Sequence, residues 1–134
     1  MREITHHKLN GLNDALRIEV LDEPGPGNAC HHYKITGFNS STNKSDPFVA
    51  RHGSPAEHST VLFQNGPIQE SGINGVSNEA LLAVLIDRMQ GFQSGPFACR
   101  DNAIALTHLE EALMWLQKRT RDRLARGVEG TNQK

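Results

Sequence analysis

From residue 99 to residue 126 the chain contains neither proline nor glycine, and Gly127 then closes the stretch. Within it Ala105, Leu109, Ala112, Leu113 and Leu116 recur at three- and four-residue spacing, which stacks side chains on one face of an α-helix. A helix from about Cys99 to Gly127 is about 40 Å long at the standard rise, longer than a compact domain of this mass is wide. Such a helix has to reach beyond the core of its own chain. Pro96 is placed to open it, and Gly127 suits the left-handed residue just past a helix end.

A shorter helix precedes it. Ser77 or Asn78 can cap its first turn, which holds Glu79, and Leu81, Leu82, Leu85, Ile86 and Met89 repeat at helical spacing up to the break at residues 91–95. Two consecutive helices with a short break make a hairpin over residues 77–127. Ile104, Leu106, Met114 and Trp115 fall off the main stripe of the second helix, so the hairpin carries more apolar surface than one partner helix covers. Either the N-terminal part of the chain covers this second face or further copies of the chain do.

Residues 1–64 read differently. Leu16, Ile18 and Val20 alternate with Arg17, Glu19 and Leu21, the period of a half-buried strand, and Pro24-Gly25-Pro26-Gly27 ends the run. A second β-prone run covers residues 31–38, with Tyr33 and Ile35 two apart, and a short apolar third covers residues 60–63. Residues 39–58, rich in Ser, Asn, Pro and Gly, read as a mobile loop, and the turn-forming glycines and prolines of residues 65–76 read as a connection. The expected class is therefore α+β: a small N-terminal antiparallel sheet followed by a long C-terminal helical hairpin and a tail over residues 128–134, in a single domain of 134 residues.

A formal net charge of −1 gives no overall field toward DNA or a membrane, and any anion has to be met locally. The longest apolar run, residues 80–86, is far shorter than the roughly 20 residues of a membrane span. Cys30 and Cys99 make no disulfide framework, and nothing at the N-terminus resembles a signal peptide, which together suit a reducing cytoplasm. The end of the long helix, Lys118-Arg119-Thr120-Arg121-Asp122-Arg123-Leu124-Ala125-Arg126, places Arg119, Arg123 and Arg126 on one face. Like charges one turn apart oppose each other by roughly 0.2–0.5 kcal/mol, which a bound phosphate gripped by planar guanidinium forks would offset. Cations near a helix C-terminus also interact well with the dipole, and Asp122 can pair with Lys118, so the stripe has a purely structural reading too.

The other polar clusters are weaker. His6-His7 and Cys30-His31-His32 are adjacent residues that point to opposite faces of a strand, and His108 with Glu111 has no matching second pair, so no metal or other cofactor is expected. The chain has no nucleophile elbow, no phosphate-binding glycine loop and no zinc-protease helix, and it reads as a binding protein.

Five ordered blocks carry a resemblance: Phe63-Gln64-Asn65-Gly66-Pro67-Ile68-Gln69-Glu70, Gly72-Ile73-Asn74-Gly75-Val76, Cys99-Arg100-Asp101-Asn102-Ala103, Met114-Trp115-Leu116 with Lys118-Arg119-Thr120, and Gly127-Val128-Glu129-Gly130-Thr131. Together they closely resemble the phage Thoeris anti-defence sponge proteins; the helical hairpin is shared more distantly with anti-CBASS sponges. The likeness spans Phe63 to Thr131 and is faint before it, at His31-His32 and the apolar residues after them. It implies a non-enzymatic protein that sequesters the glycocyclic ADP-ribose messenger of bacterial TIR-domain proteins in the cytoplasm of the infected host. In some members cyclic di- or trinucleotides are bound as well. It also implies dimers that associate into hexamers, with messenger pockets at dimer interfaces. Carried onto this sequence, the pocket is Phe92 for stacking, Asn102 for hydrogen bonding, and Arg119 with Arg123 for the diphosphate. Arg126, Glu129 and Thr131 are second-tier residues at its mouth, and Arg88 and Arg100 are the candidates for a second, cyclic-oligonucleotide site.

Overall fold

The computed structural model describes residues 1–46, 53–131 and 133, and the chain forms two compact units, Met1–Phe63 and Gln64–Lys134. The first holds a four-stranded sheet in the order β1-β2-β3-β4, with β1 at Arg2–Ile4, β2 at Arg17–Val20, β3 at His32–Thr36 and β4 at His58–Leu62. All three pairings are antiparallel, with Ile18 opposite Ile4 and Ile35, and Tyr33 opposite Val20 and Val61. The alternation that marks β2 in the sequence drives Val20 into the sheet, where it is 1% exposed. Tyr33 and Phe63 meet edge to face at 5.7 Å.

Two elements of this unit have no sequence signal. Strand β1 is three residues long, too short to display alternation, and helix α1 (Gly11–Ala15) is a single turn capped by Asn10, whose Oδ1 accepts from the Asn13 N–H at 2.9 Å. Gly37 faces that turn. A β-carbon there would lie 1.9 Å from the Ala15 carbonyl oxygen, so only glycine fits. Of the segment read as a mobile loop, residues 47–52 lie outside the described residues. Its flanks are tied together: the Ser40 N–H donates to the Ala56 carbonyl at 2.9 Å, and Ser40 Oγ accepts from the Ala56 N–H at 2.7 Å while donating to Asp46.

The second unit is the helical hairpin with its connection and tail. The connection is organised by side-chain amides rather than by apolar packing. The Asn74 side chain accepts from the Asn65 N–H and donates to the Asn65 carbonyl, each at 2.8 Å, and the Gln64 side chain accepts from the Asn74 N–H at 2.9 Å while donating to the Gly72 carbonyl at 2.7 Å. A one-turn helix α2 (Ile68–Ser71) lies inside it, absent from the sequence reading because four residues show no period. Helix α3 spans Asn78–Gln93 with Ser77 as its cap, Oγ accepting from the Ala80 N–H at 3.0 Å. Helix α4 spans Arg100–Ala125, about 39 Å at the standard rise.

Pro96 does not open α4. It lies in the turn, which the Gln93 side chain fixes by accepting from the Cys99 N–H and donating to the Cys99 carbonyl, each at 3.2 Å, and Cys99 is the cap. The far end of α4 closes as the sequence indicates: Gly127 has φ of 72°, its N–H donates to the Leu124 carbonyl at 3.1 Å, and the Val128 N–H donates to the Arg123 carbonyl at 3.0 Å.

The core is sparse. Among the described residues only Val20 and Cys30 are buried apolar side chains, α3 has no buried residue, and the one buried residue of α4 is Arg123. Val84, Leu85, Ile104, Met114 and Trp115 are each at least 40% exposed along the hairpin. Long helices draw most of their stability from tertiary packing of an apolar face.

Candidate functional site

The arginine stripe lies on the last three turns of α4. Trp115, Lys118, Arg119, Asp122, Arg123 and Arg126 recur at helical spacing and line an open groove of about 260 Å³. Lys118 is paired with Asp122 at 2.7 Å, both side chains well exposed, and this is the i,i+4 pair expected from the sequence. The three arginines are not equivalent. Arg119 is exposed, and its side chain makes no hydrogen bond or ion pair among the described residues. Arg126 is exposed and forms the C-cap of α4.

Arg123 is 6% exposed, and its guanidinium is turned into its own chain. Nε donates to Glu129 Oε2 at 3.0 Å, one terminal nitrogen donates to the carbonyls of Val128 and Thr131 at 2.8 and 3.1 Å, and the other donates to the carbonyl of Gln133. Four donors of a five-donor group are thereby taken up by the turn that follows the helix. The same turn is held from its other side by Gln69, whose side chain donates to the Glu129 carbonyl at 3.2 Å and whose N–H donates to the Gly130 carbonyl at 3.3 Å. Gly130 is buried with φ of 79°, and a β-carbon there would stand 3.0 Å from Ile68 Cγ1. Two of the blocks noted in the sequence, around Gln69 and around Glu129, are therefore one piece of structure, and Glu129 and Thr131 belong to the same clasp as Arg123.

Phe92 and Asn102 lie at the opposite end of the hairpin. Phe92 is in the last turn of α3, half-buried, with the Arg88 guanidinium 5.1 Å above its ring. Asn102 is in the first turn of α4, where its N–H donates to the Cys99 sulfur at 3.4 Å. Arg100, with Ala103, Ile104, Thr107 and His108, lines a second open groove on α4. Asn102 and Arg119 belong to one continuous helix and are separated by about 25 Å along its axis. One chain thus presents two sets, Arg88, Phe92, Arg100 and Asn102 at the turn end, and Arg119, Arg123, Arg126, Glu129 and Thr131 at the far end, and no compact ligand touches both.

The histidine clusters behave as structural groups. His31 is 7% exposed, and the Asp22 carboxylate accepts from the backbone N–H of His31 at 2.9 Å and of His32 at 3.1 Å. Desolvation works to raise the pKa of Asp22, but these two hydrogen bonds and the charge of His31 outweigh it and hold the carboxyl below its ordinary value. His7 Nε2 is 2.7 Å from the Leu16 carbonyl oxygen, and His108 and Glu111 are an exposed pair at 3.8 Å. Among the described residues no three His, Cys, Asp or Glu side chains converge as a metal would require, and no helix is long and apolar enough to cross a membrane.

Residues 55–121 match the family model described as the Acb2/Tad1 hairpin domain. A relative named Thoeris anti-defense 1, from Bacillus phage SBSphiJ7, is 42% identical over 143 residues, covering the whole of both chains. The chain belongs to the Acb2/Tad1 hairpin family. Membership extends the likeness beyond Phe63 to Thr131, because the relative aligns across the N-terminal sheet as well. The hairpin-domain match takes in Phe92, Asn102 and Arg119 but stops before Arg123 and the turn, which only the full-length relative covers.

Sequence reasoning missed Trp115 as a groove residue. Its signal was present, since it stands one turn before Arg119 on the same face, but it was grouped with the apolar surplus of the hairpin.

Proposed function

We propose that this protein is a non-enzymatic sponge of phage anti-defence, binding nucleotide immune messengers in the cytoplasm of the infected host so that the Thoeris effector is not triggered. The observation that carries this reading is the exposed Arg119 guanidinium, without a partner among the described residues, in the groove at the end of α4. Family membership and the name of the full-length relative supply the biological context. An exposed arginine with free donors suits a diphosphate, which accepts paired, charge-assisted hydrogen bonds. The messenger is glycocyclic ADP-ribose, whose diphosphate meets Arg119, while Phe92 and Asn102 hold its other parts.

Because Asn102 and Arg119 are about 25 Å apart on one helix, a pocket that uses both needs two copies of the chain. We infer an antiparallel pairing in which the turn end of one hairpin meets the arginine end of another. The exposed Val84, Leu85 and Met114 supply apolar surface for such assembly into dimers and hexamers. Cyclic di- or trinucleotides are candidate second ligands at Arg88 and Arg100, the latter lining its own groove.

The test is to titrate purified protein with glycocyclic ADP-ribose by calorimetry, heat-denature the complex, and determine the mass of the released ligand. Tight binding with intact release is the expected result. Degraded ligand makes the protein an enzyme, and no binding removes the sponge reading in favour of an oligomeric adaptor.

A further inference from the structure

The groove at the end of α4 contains an aromatic group as well as cations. Trp115 is 59% exposed and lines the groove together with Arg119 and Arg126, with Arg119 one helical turn away on the same face. An indole face and a guanidinium at this spacing are the two halves of a nucleotide site: a flat apolar surface for a base and a planar donor fork for phosphate. Within one protomer Phe92 is at the other end of the hairpin, and among the described residues Trp115 is the aromatic side chain that lines the arginine groove. Arg88 already stands over the Phe92 ring, so one face of that ring is in use.

The geometry points to Trp115 as a base-stacking residue of the messenger site, its indole packing against the adenine of a ligand whose diphosphate lies on Arg119. This rests on the sponge reading and adds to it a specificity-determining residue. Arg123 acts here as a positioning residue, because its guanidinium is buried and holds the Val128–Thr131 turn. The base would then lie between the indole and whatever the second copy contributes from its turn end.

Trp115 is the chain's single tryptophan, so selectively excited tryptophan emission reports this position alone. The experiment titrates wild type, Trp115→Phe and Trp115→Ala with glycocyclic ADP-ribose by calorimetry, follows tryptophan emission of the wild type in parallel, and measures oligomer mass by sedimentation. Stacking predicts quenching that saturates with the calorimetric isotherm, affinity within a few-fold of wild type for Trp115→Phe, and a loss of about ten- to a hundredfold for Trp115→Ala at unchanged oligomer mass. Wild-type binding with unaltered affinity in Trp115→Ala overturns the inference and leaves the sponge reading standing. So does a loss of affinity that follows a loss of oligomer mass while wild-type emission ignores the ligand, since Trp115 is then an interface residue. Absence of wild-type binding overturns the sponge reading itself and this inference with it. Should Trp115→Ala fail to fold, quenching and the Trp115→Phe affinity still decide.

Discussion

Replacing Arg123 with alanine separates two roles that a sequence cannot tell apart. As a ligand residue, Arg123 would be dispensable to the empty protein; as the clasp of the C-terminal turn it is part of the fold. The guanidinium donates to Glu129, Val128, Thr131 and Gln133, and it is 6% exposed. Hydrogen bonds from a charged group contribute roughly 1.5–3 kcal/mol each, but these four are not additive, because all of them hold the same turn and are lost together when it opens. Removing one partner of a buried ion pair costs about 3–5 kcal/mol. Glu129 is 35% exposed and recovers part of its hydration, which brings the expected cost to about 2–3 kcal/mol.

For a chain of this length that loss is about 6–12 °C in melting temperature, read by differential scanning calorimetry of the ligand-free protein at fixed protomer concentration. Arg123→Lys keeps a cation near Glu129 but loses the fork, so it should fall between alanine and wild type. Hydrogen exchange at the amides of Val128 and Thr131 should rise in step with the destabilisation, because both bonds that close the turn depend on the same side chain. An unchanged melting temperature in Arg123→Ala, with messenger binding abolished, would refute the clasp and restore Arg123 as a direct diphosphate contact.

Three further outcomes are expected. Arg119→Ala should lower messenger affinity by about a hundredfold, the equivalent of two charge-assisted hydrogen bonds, with no change in melting temperature; calorimetry and thermal unfolding on the same sample check it. Phe92→Ala and Arg119→Ala protomers, each lacking wild-type-affinity sites alone, should regain about a quarter of those sites when unfolded and refolded as an equal mixture, because a mixed pair contains one pocket with both lesions and one with neither. Stoichiometry that stays near zero in the mixture would place both residues in one protomer's pocket. Asp22, held below its ordinary carboxylate value, should contribute stability that is fully present above about pH 4 and lost as pH falls through its folded value. The melting temperatures of wild type and Asp22→Asn should therefore converge on acidification, and parallel curves would discount the His31–Asp22 contact.

The contrast between what was legible in the sequence and what was not follows from periodicity. Helices α3 and α4 announced themselves because sixteen and twenty-six residues are enough turns for a stripe to repeat, with Ser77 and Gly127 marking outer ends. Strand β2 was visible because Leu16, Ile18 and Val20 alternate, whereas β1, α1 and α2 each span fewer than two repeats and show no period. The site divides along the same line. Helical spacing put Arg119, Arg123 and Arg126 on one face, but spacing carries no information about which of them is buried, because the partners of Arg123 are carbonyls in a non-periodic tail. A guanidinium that looks outward from the helix wheel is captured by the next turn of chain, while its neighbour one turn earlier is left exposed. That asymmetry fits the proposed sponge, which would hold an anion at this helix end. The charge that would otherwise repel Arg119 is neutralised by Glu129 and used to hold the turn after the helix, which leaves on the groove the Arg119 fork, without a side-chain partner among the described residues.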